Sequence, residues 1–192
     1  MRSNRQIFDG PAFISFPIAL RFAMKQRRAA SRSRVKNPPI NVVLVEPQIP
    51  PNTGNIARLC AASQCHLILV GELGFGLNDS ALKRAGLDYW RYVSWEHVPE
   101  LGEFLAQIPP GALHLFSTHA SKPYTHLPVV WGDYLVFGKE TAGLSKSLLE
   151  RHAQQCYTIP MAERGVRSLN LSSAVAIVLY DALRTVKPFP WK

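Results

Sequence analysis

The 192-residue chain is poor in cysteine, poor in acidic residues and free of long apolar runs. Its three cysteines, Cys60, Cys65 and Cys156, form an odd and scattered set, which argues against a disulfide framework and for a reducing compartment. They contain no C-x2-C pair, so we expect buried thiols and no metal site. The apolar runs are far shorter than the roughly 20 residues that span a bilayer, so no transmembrane helix is expected.

The shortage of acidic residues is concentrated near the amino terminus. The formal net charge is +9, with 22 Lys and Arg against 13 Asp and Glu. Residues 1–39 hold nine of the basic side chains and one of the acidic ones, so they carry +8 and the remainder only +1. Bulk charge therefore does not make the remainder a nucleic-acid binder, and its basic residues have to be argued singly.

Residues 1–39 have the composition of a leader. They are rich in Arg and Ser and lack a regular apolar face, so we expect them to be disordered and the folded domain to span residues 40–192. Three interpretations stay open: an organellar transit peptide, a basic arm that grips RNA, or sequence upstream of the real start, since Met24 is an internal candidate initiator. We expect a cytoplasmic protein, with organellar targeting by the leader left open.

From Ile40 onward, short apolar runs alternate with helical patterns, which is typical of an α/β domain with a mostly parallel sheet flanked by helices. We predict strands at 41–46, 67–70, 89–93, 113–117, 134–137 and 157–159. We predict four helices. The first runs from Asn52 or Thr53 to residue 63, the second runs from Asp79 to residue 86, and the third ends near Gln107. The fourth covers 169–183, with Ser168 as its N-cap.

Three loops that follow predicted strands hold most of the candidate site residues: PPNTGNIARLC, FGKETAGL and IPMAERGVRSLNLS. Ligands of open parallel sheets bind beyond the carboxyl ends of the strands, so we expect the last two loops to face one site. Gly138 and Gly143 would permit close backbone approach or positive φ there. The polar opening turn of the last helix suits an anionic or polar ligand, although an ordinary core helix with a serine-rich cap explains that stretch by itself.

Together with EPQI at 46–49, directly before the first of them, and RAGLDY at 84–89, these loops resemble the three sequence motifs of the SPOUT superfamily of S-adenosylmethionine-dependent RNA methyltransferases. The similarity covers about residues 41–185 and is closest to the tRNA branch that methylates the ribose 2'-hydroxyl of the wobble nucleotide, a cytidine or uridine. It implies S-adenosylmethionine as cofactor and the anticodon stem-loop of tRNA as partner. It also implies a C-terminal trefoil knot and a homodimer through the last helix. The alternatives are 2'-O-methylation of ribosomal RNA and a non-catalytic RNA-binding dimer of the same fold.

The resemblance also implies which residues form the site. The implied catalytic residues are Asn52, Arg58, Ser168 and Asn170. The implied cofactor-binding residues are Phe116, Ser117, Gly138, Glu140, Ile159, Met161, Ser168 and Leu169. Methyl transfer requires mainly an in-line approach, so positioning should outweigh acid–base chemistry. A guanidinium group keeps its proton, so phosphate clamping suits Arg58 better than a role as base, and both roles stay open.

The second motif departs from the FGPETRGLP pattern that is common in this superfamily. Lys139, Ala142 and Ser145 stand where Pro, Arg and Pro are common. Loss of the arginine would remove one RNA contact, and Lys139 is the candidate to replace part of it.

Overall fold

The computed structural model describes residues 31–32, 35–76, 90–163 and 165–186. Its strands form one sheet in which β1 lies at the edge and runs antiparallel to its neighbour β4, while every other described pair is parallel. The strands are β1 (Ser31–Arg32), β2 (Ile40–Val45), β3 (His66–Val70), β4 (Ser94–Val98), β5 (Leu113–Phe116), β6 (Lys122–Pro123), β7 (Asp133–Phe137) and β8 (Cys156–Thr158). Their order across the sheet is β1-β4-β3-β2-β7-β5-β8-β6.

Helices cover both faces of this sheet. The described helices are α1 (Pro50–Ser63), α2 (Leu101–Leu105), α3 (Lys146–Arg151) and α4 (Leu171–Val186), and 3-10 turns occupy Trp90–Tyr92, Tyr124–His126 and Ala153–Gln155. On one face, Ile56 of α1 and Leu179 of α4 pack with Leu44 of β2. On the other, Phe104 of α2 and Leu148 of α3 pack with the opposite side of the strands. The predicted α/β class with a mostly parallel, helix-flanked sheet is therefore confirmed.

The central strands are buried on both faces, which explains their unbroken apolar sequences. All six residues of β2 and all five of β3 are buried. Val43 is in register with Ile68 on one side and Val136 on the other. A strand enclosed in this way needs apolar residues at every position rather than at alternate ones.

The strand predicted at 89–93 is wrong. Trp90–Tyr92 form a 3-10 turn, and β4 follows it. The aromatic signal belongs to the turn because the ring of Trp90 packs on that of Trp95, with centroids 5.2 Å apart. The helix expected to end near Gln107 is the shorter α2, whereas the predicted helix after Asp79 and the RAGLDY motif lie outside the described residues.

The first long helix begins earlier than predicted. α1 starts at Pro50, and Ile49 occupies the N-cap without a side-chain capping bond. Two prolines at the first helical positions favour this start because their fixed φ suits a helix and their missing N–H groups would be unsatisfied there in any case. Asn52 and Thr53, the predicted caps, are instead buried within the first turn.

The last helix begins later than predicted. α4 starts at Leu171, and Asn170 takes the capping position expected for Ser168. The Asn170 carboxamide oxygen accepts a hydrogen bond from the Ser172 N–H at 2.9 Å. Asparagine is among the best N-cap residues, so a cap signal was present two positions further along the same motif.

The end of the predicted leader takes part in the fold. Ser31 and Arg32 pair with Glu96 and Trp95 of β4, and Pro39 is buried next to β2. Residues 1–30 and 33–34 lie outside the described part of the chain.

The loop after β7 turns back tightly at Gly138. A Cβ atom on this residue would lie 2.1 Å from the carbonyl carbon of Gly143 and 2.3 Å from the nitrogen of Leu144. Gly143, with φ of 67°, forms an isolated backbone bridge with Lys139. Both properties expected of these glycines are thus present, close approach at Gly138 and positive φ at Gly143.

We predict that Gly138→Ala lowers the free energy of unfolding by about 1–3 kcal/mol or more, because two backbone segments would have to separate. For a chain of this size that lowers Tm by roughly 2–4 °C per kcal/mol in a thermal unfolding experiment. Gly102→Ala is the matched control, since a Cβ there meets nothing within 4 Å. An unchanged Tm for Gly138→Ala would show that the loop does not require glycine.

Candidate functional site

The loops that follow β2, β7, β5 and β8 meet at the carboxyl edge of the sheet, because these four strands are parallel neighbours. A cavity of about 740 Å³ lies between them and is lined by parts of all three motif loops. Ile49 and Asn52 of the first loop and Asn170 of the third lie in its wall. All eight predicted cofactor positions also line it: Phe116, Ser117, Gly138, Glu140, Ile159, Met161, Ser168 and Leu169.

The cavity has an apolar floor and a polar rim. The rings of Phe116 and Phe137 stack in the floor with centroids 4.7 Å apart and planes within 13°. Ile159 is half-buried beside them, whereas Ser168 and Leu169 are exposed at the rim. A slot of this kind suits a flat heterocycle with a polar extension.

A chain of hydrogen bonds joins the three loops beside the cavity. The Glu140 carboxylate accepts from the N–H groups of Gln48 at 2.9 Å and Ile49 at 3.2 Å, and from Asn52 Nδ2 at 3.0 Å. Asn52 Oδ1 in turn accepts from Asn170 Nδ2 at 3.0 Å. We call the side-chain part of this chain, Glu140–Asn52–Asn170, the amide relay.

The carboxylate dictates the orientation of both amides in the relay. An ionised carboxyl group can only accept, so Asn52 must present its NH2 group to Glu140 and its oxygen to Asn170. Asn170 must then donate, which directs its own oxygen to the N–H of Ser172 at the start of α4. One acidic side chain thereby sets the donor and acceptor pattern across the site.

Lys139 is ion-paired within the protein. Its Nζ lies 2.7 Å from Glu46 Oε2, at the end of β2. Lys139 was the candidate to replace part of a missing RNA contact. In the structure it links the second motif loop to the first.

Arg58 is the predicted site residue that the cavity does not include. It lies on the exposed side of α1, six residues after Asn52, and among the described residues it is not part of the cavity lining. The structure therefore brings Asn52, Ser168 and Asn170 together at the cavity and places Arg58 on the neighbouring surface.

Several residues that line or support the cavity are not among the site residues predicted from the sequence. Phe137, His119 and Arg167 line the cavity, and Glu46 supports it through Lys139. Phe137 gave no separate signal because it reads as the last residue of an apolar strand. Arg167, next to Ser168, was recognisable only as one of several basic residues.

The cysteines fit the expected structural role. Cys60, Cys65 and Cys156 are buried and unpaired with one another. Burial raises the pKa of the Cys60 thiol well above its usual value, so this thiol stays protonated and unreactive. Within the described ranges, no three His, Cys, Asp or Glu side chains are grouped so that they could hold a metal ion.

None of the described helices is long and apolar enough to cross a bilayer.

Comparison with known proteins identifies relatives of this arrangement. The model of the SpoU rRNA methylase family matches residues 39–180. The tRNA (cytidine(34)-2'-O)-methyltransferase of Burkholderia pseudomallei is 45% identical over 147 residues, which cover 75% of this chain and 94% of that protein. The enzyme of the same name from Saccharophagus degradans is 44% identical over 145 residues, covering 75% and 94%.

Solved structures agree with these relatives. A structure concerned with the 2-OH methylation of C/U34 on tRNA is 40% identical, has a TM-score of 0.70, and is matched over 76% of this chain and 94% of that one. The SpoU methyltransferase AviRb from Streptomyces viridochromogenes, solved in complex with AdoMet, is 25% identical with a TM-score of 0.67, over 80% of this chain and 60% of that one. This chain belongs to the SpoU methylase family.

Proposed function

We propose that the protein transfers a methyl group from S-adenosylmethionine to the ribose 2'-oxygen of the wobble nucleotide of tRNA, a cytidine or uridine. The observation that carries the proposal is the amide relay, which joins all three motif loops at one cavity. The names of the two bacterial relatives and the related C/U34 structure support tRNA as the substrate.

The residues present are compatible with S-adenosylmethionine. The cavity volume falls within the usual range for small-molecule sites, and its aromatic floor suits an adenine ring. At Gly138, where a Cβ would meet the backbone of Gly143 and Leu144, the main chain of the second motif loop itself forms part of the cavity wall. Phe116, Ile159 and Leu169 would hold the base by shape, and Ser117, Met161 and Ser168 would contact the rest.

The protein's contribution to the reaction would be mainly positioning. When bound, S-adenosylmethionine supplies an electrophilic methyl group on a sulfonium. Asn52 and Asn170 each use one amide hydrogen in the relay, and we assign the second to oxygens of the target ribose. Arg58 would clamp a phosphate of the RNA from α1, because a guanidinium group binds phosphate oxygens through two parallel hydrogen bonds. Glu140 would hold the relay rather than exchange protons, since three donors already occupy it.

The same proposal includes a homodimer through α4. Four exposed residues on this helix are spaced by four, three and four positions and so form one stripe: Ser173, Ile177, Tyr180 and Arg184. Ile177 and Tyr180 are large hydrophobic side chains, yet each is 38% exposed. A second copy would cover them.

We propose the catalytic domain as residues 40–192, residues 1–39 as an accessory leader, and the cytoplasm as the place of action.

To test the activity, we would incubate the protein with methyl-labelled S-adenosylmethionine and total tRNA or ribosomal RNA in the presence of a metal chelator. We expect label in tRNA, mapped to the 2'-oxygen of nucleotide 34. We also expect cofactor binding in calorimetry to persist with the chelator, because methyl transfer needs no activated water.

Label at a base atom would refute the proposed reaction. Label in ribosomal RNA would support the alternative substrate. Binding of the cofactor without transfer to either RNA would support a non-catalytic RNA-binding dimer.

We predict that Arg58→Ala reduces methyl transfer by tenfold or more while cofactor affinity stays near that of the parent, because Arg58 lies outside the cavity. Arg58→Lys keeps the charge but loses the bidentate fork, so phosphate clamping predicts an intermediate rate. Steady-state kinetics and calorimetry would measure both. Parental activity of Arg58→Ala would remove this residue from the mechanism.

We predict that Ile177→Glu converts a dimeric parent into monomers in sedimentation experiments, because it places a charge within the proposed interface. Val130→Glu is the control, since Val130 is also apolar and exposed but belongs to the loop before β7 and not to α4. A monomeric parent, or a dimer that tolerates Ile177→Glu, would contradict an interface through α4.

A further inference from the structure

Glu46 and Lys139 form an ion pair between two of the loops that build the site. They are 93 residues apart in sequence, with Glu46 directly after β2 and Lys139 two residues after β7. Their charged atoms are 2.7 Å apart, and the side chains are 42% and 35% exposed. The pair is thus half-buried and bridges the first and second motif loops.

Both partners are fixed by further contacts. The Glu46 N–H donates to the Val70 carbonyl at 2.8 Å, and its own carbonyl accepts from Gln48 Nε2 at 2.7 Å. Its φ of 50° is unusual for a non-glycine residue. Lys139 is held by its backbone bridge to Gly143. Because the backbones are already ordered, forming the pair requires less loss of entropy than an ordinary surface ion pair.

Both residues of the ion pair lie close in sequence to groups that take part in the hydrogen bonds of Glu140. Lys139 precedes Glu140, whose carboxylate accepts from Gln48, Ile49 and Asn52. Glu46 lies two residues before Gln48, the first of these donors. Movement of Lys139 away from Glu46 would therefore shift the carboxylate relative to the donors that it orients.

We propose that the Glu46–Lys139 pair positions the amide relay, and that both residues are positioning residues for the methyl transfer proposed above. Lys139 occupies a place where the resembling motif commonly has proline, which restricts the backbone through its ring. In this chain the ion pair supplies an equivalent restraint from the side chain. The proposal rests on the proposed function only for its kinetic readout.

Neutral variants of similar shape distinguish positioning from direct RNA binding by the sign of an effect. If Lys139 contacted RNA, Lys139→Met would raise KM for tRNA, while Glu46→Gln would leave KM unchanged or lower it, because it removes a negative charge facing the RNA. If the pair positions the relay, both variants lower kcat and neither changes KM for tRNA. The double variant is then no worse than either single one, because the interaction is already lost.

We expect kcat to fall about two- to fivefold in each variant, the range that corresponds to a partly exposed ion pair. Lys139→Arg, which can still pair with the carboxylate, should restore most of the rate. The matched controls are Lys146→Met and Glu150→Gln, which break the exposed i,i+4 ion pair on α3 and change the charge in the same way. These controls should retain the parental kcat.

Hydrogen exchange gives a second readout that needs no activity. The amides of Gln48 and Ile49 donate to Glu140, so their exchange should accelerate by a similar factor in Lys139→Met and Glu46→Gln, and not in the controls. Opposite effects of the two variants on KM, or unchanged exchange at both amides, would overturn the proposal. If the parent methylates no RNA but exchange accelerates as expected, the positioning holds and the proposed function fails.

Discussion

The site depends on one acceptor, the Glu140 carboxylate, and its three donors. Two of those donors are N–H groups at the entrance to α1, where a helix leaves its first amides without internal partners. Ile49 provides no side-chain cap, so a carboxylate from another loop satisfies this end and meets the positive end of the helix dipole. The third donor, Asn52, passes the orientation on to Asn170 and the start of α4. The starts of α1 and α4 and the loop that carries Glu140 therefore form one hydrogen-bonded unit.

The sheet makes this unit feasible. The relay spans 88 residues between Asn52 and Glu140 and 118 between Asn52 and Asn170. Parallel pairing of β2 with β7, β7 with β5 and β5 with β8 brings the carboxyl ends of these strands side by side. Leu44 of β2 and Phe116 of β5 are both in register with Phe137 of β7, so the loops after these strands leave the sheet at a similar level. Gly138 then lets the second loop fold against its own backbone without a side chain between them.

Charge has to be interpreted residue by residue in this protein. Most of the formal +9 lies in residues 1–39, and Lys139, the basic residue offered as an RNA contact, is paired with Glu46. Arg58 lies on an exposed helix face outside the cavity, where a phosphate could reach it. Similar side chains in neighbouring motifs therefore have different physical environments, which composition does not distinguish.

The sequence alone determined the α/β class and the strand-to-loop positions of the site, because these follow from local apolar patterns and short motifs. Through the family resemblance it also implied many, but not all, of the residues around the cavity. Two predicted elements differ from the structure. Within the strand predicted at 89–93, Trp90–Tyr92 form a 3-10 turn whose Trp90 ring packs on Trp95 of the following β4. The helix α1 begins at Pro50 because prolines suit a first turn, and the Ile49 amide before it is satisfied from Glu140. Only tertiary structure decided the orientation of the relay amides and the partner of Lys139. Each depends on a hydrogen bond between residues roughly a hundred positions apart, and no local propensity encodes which loops the parallel sheet will place together.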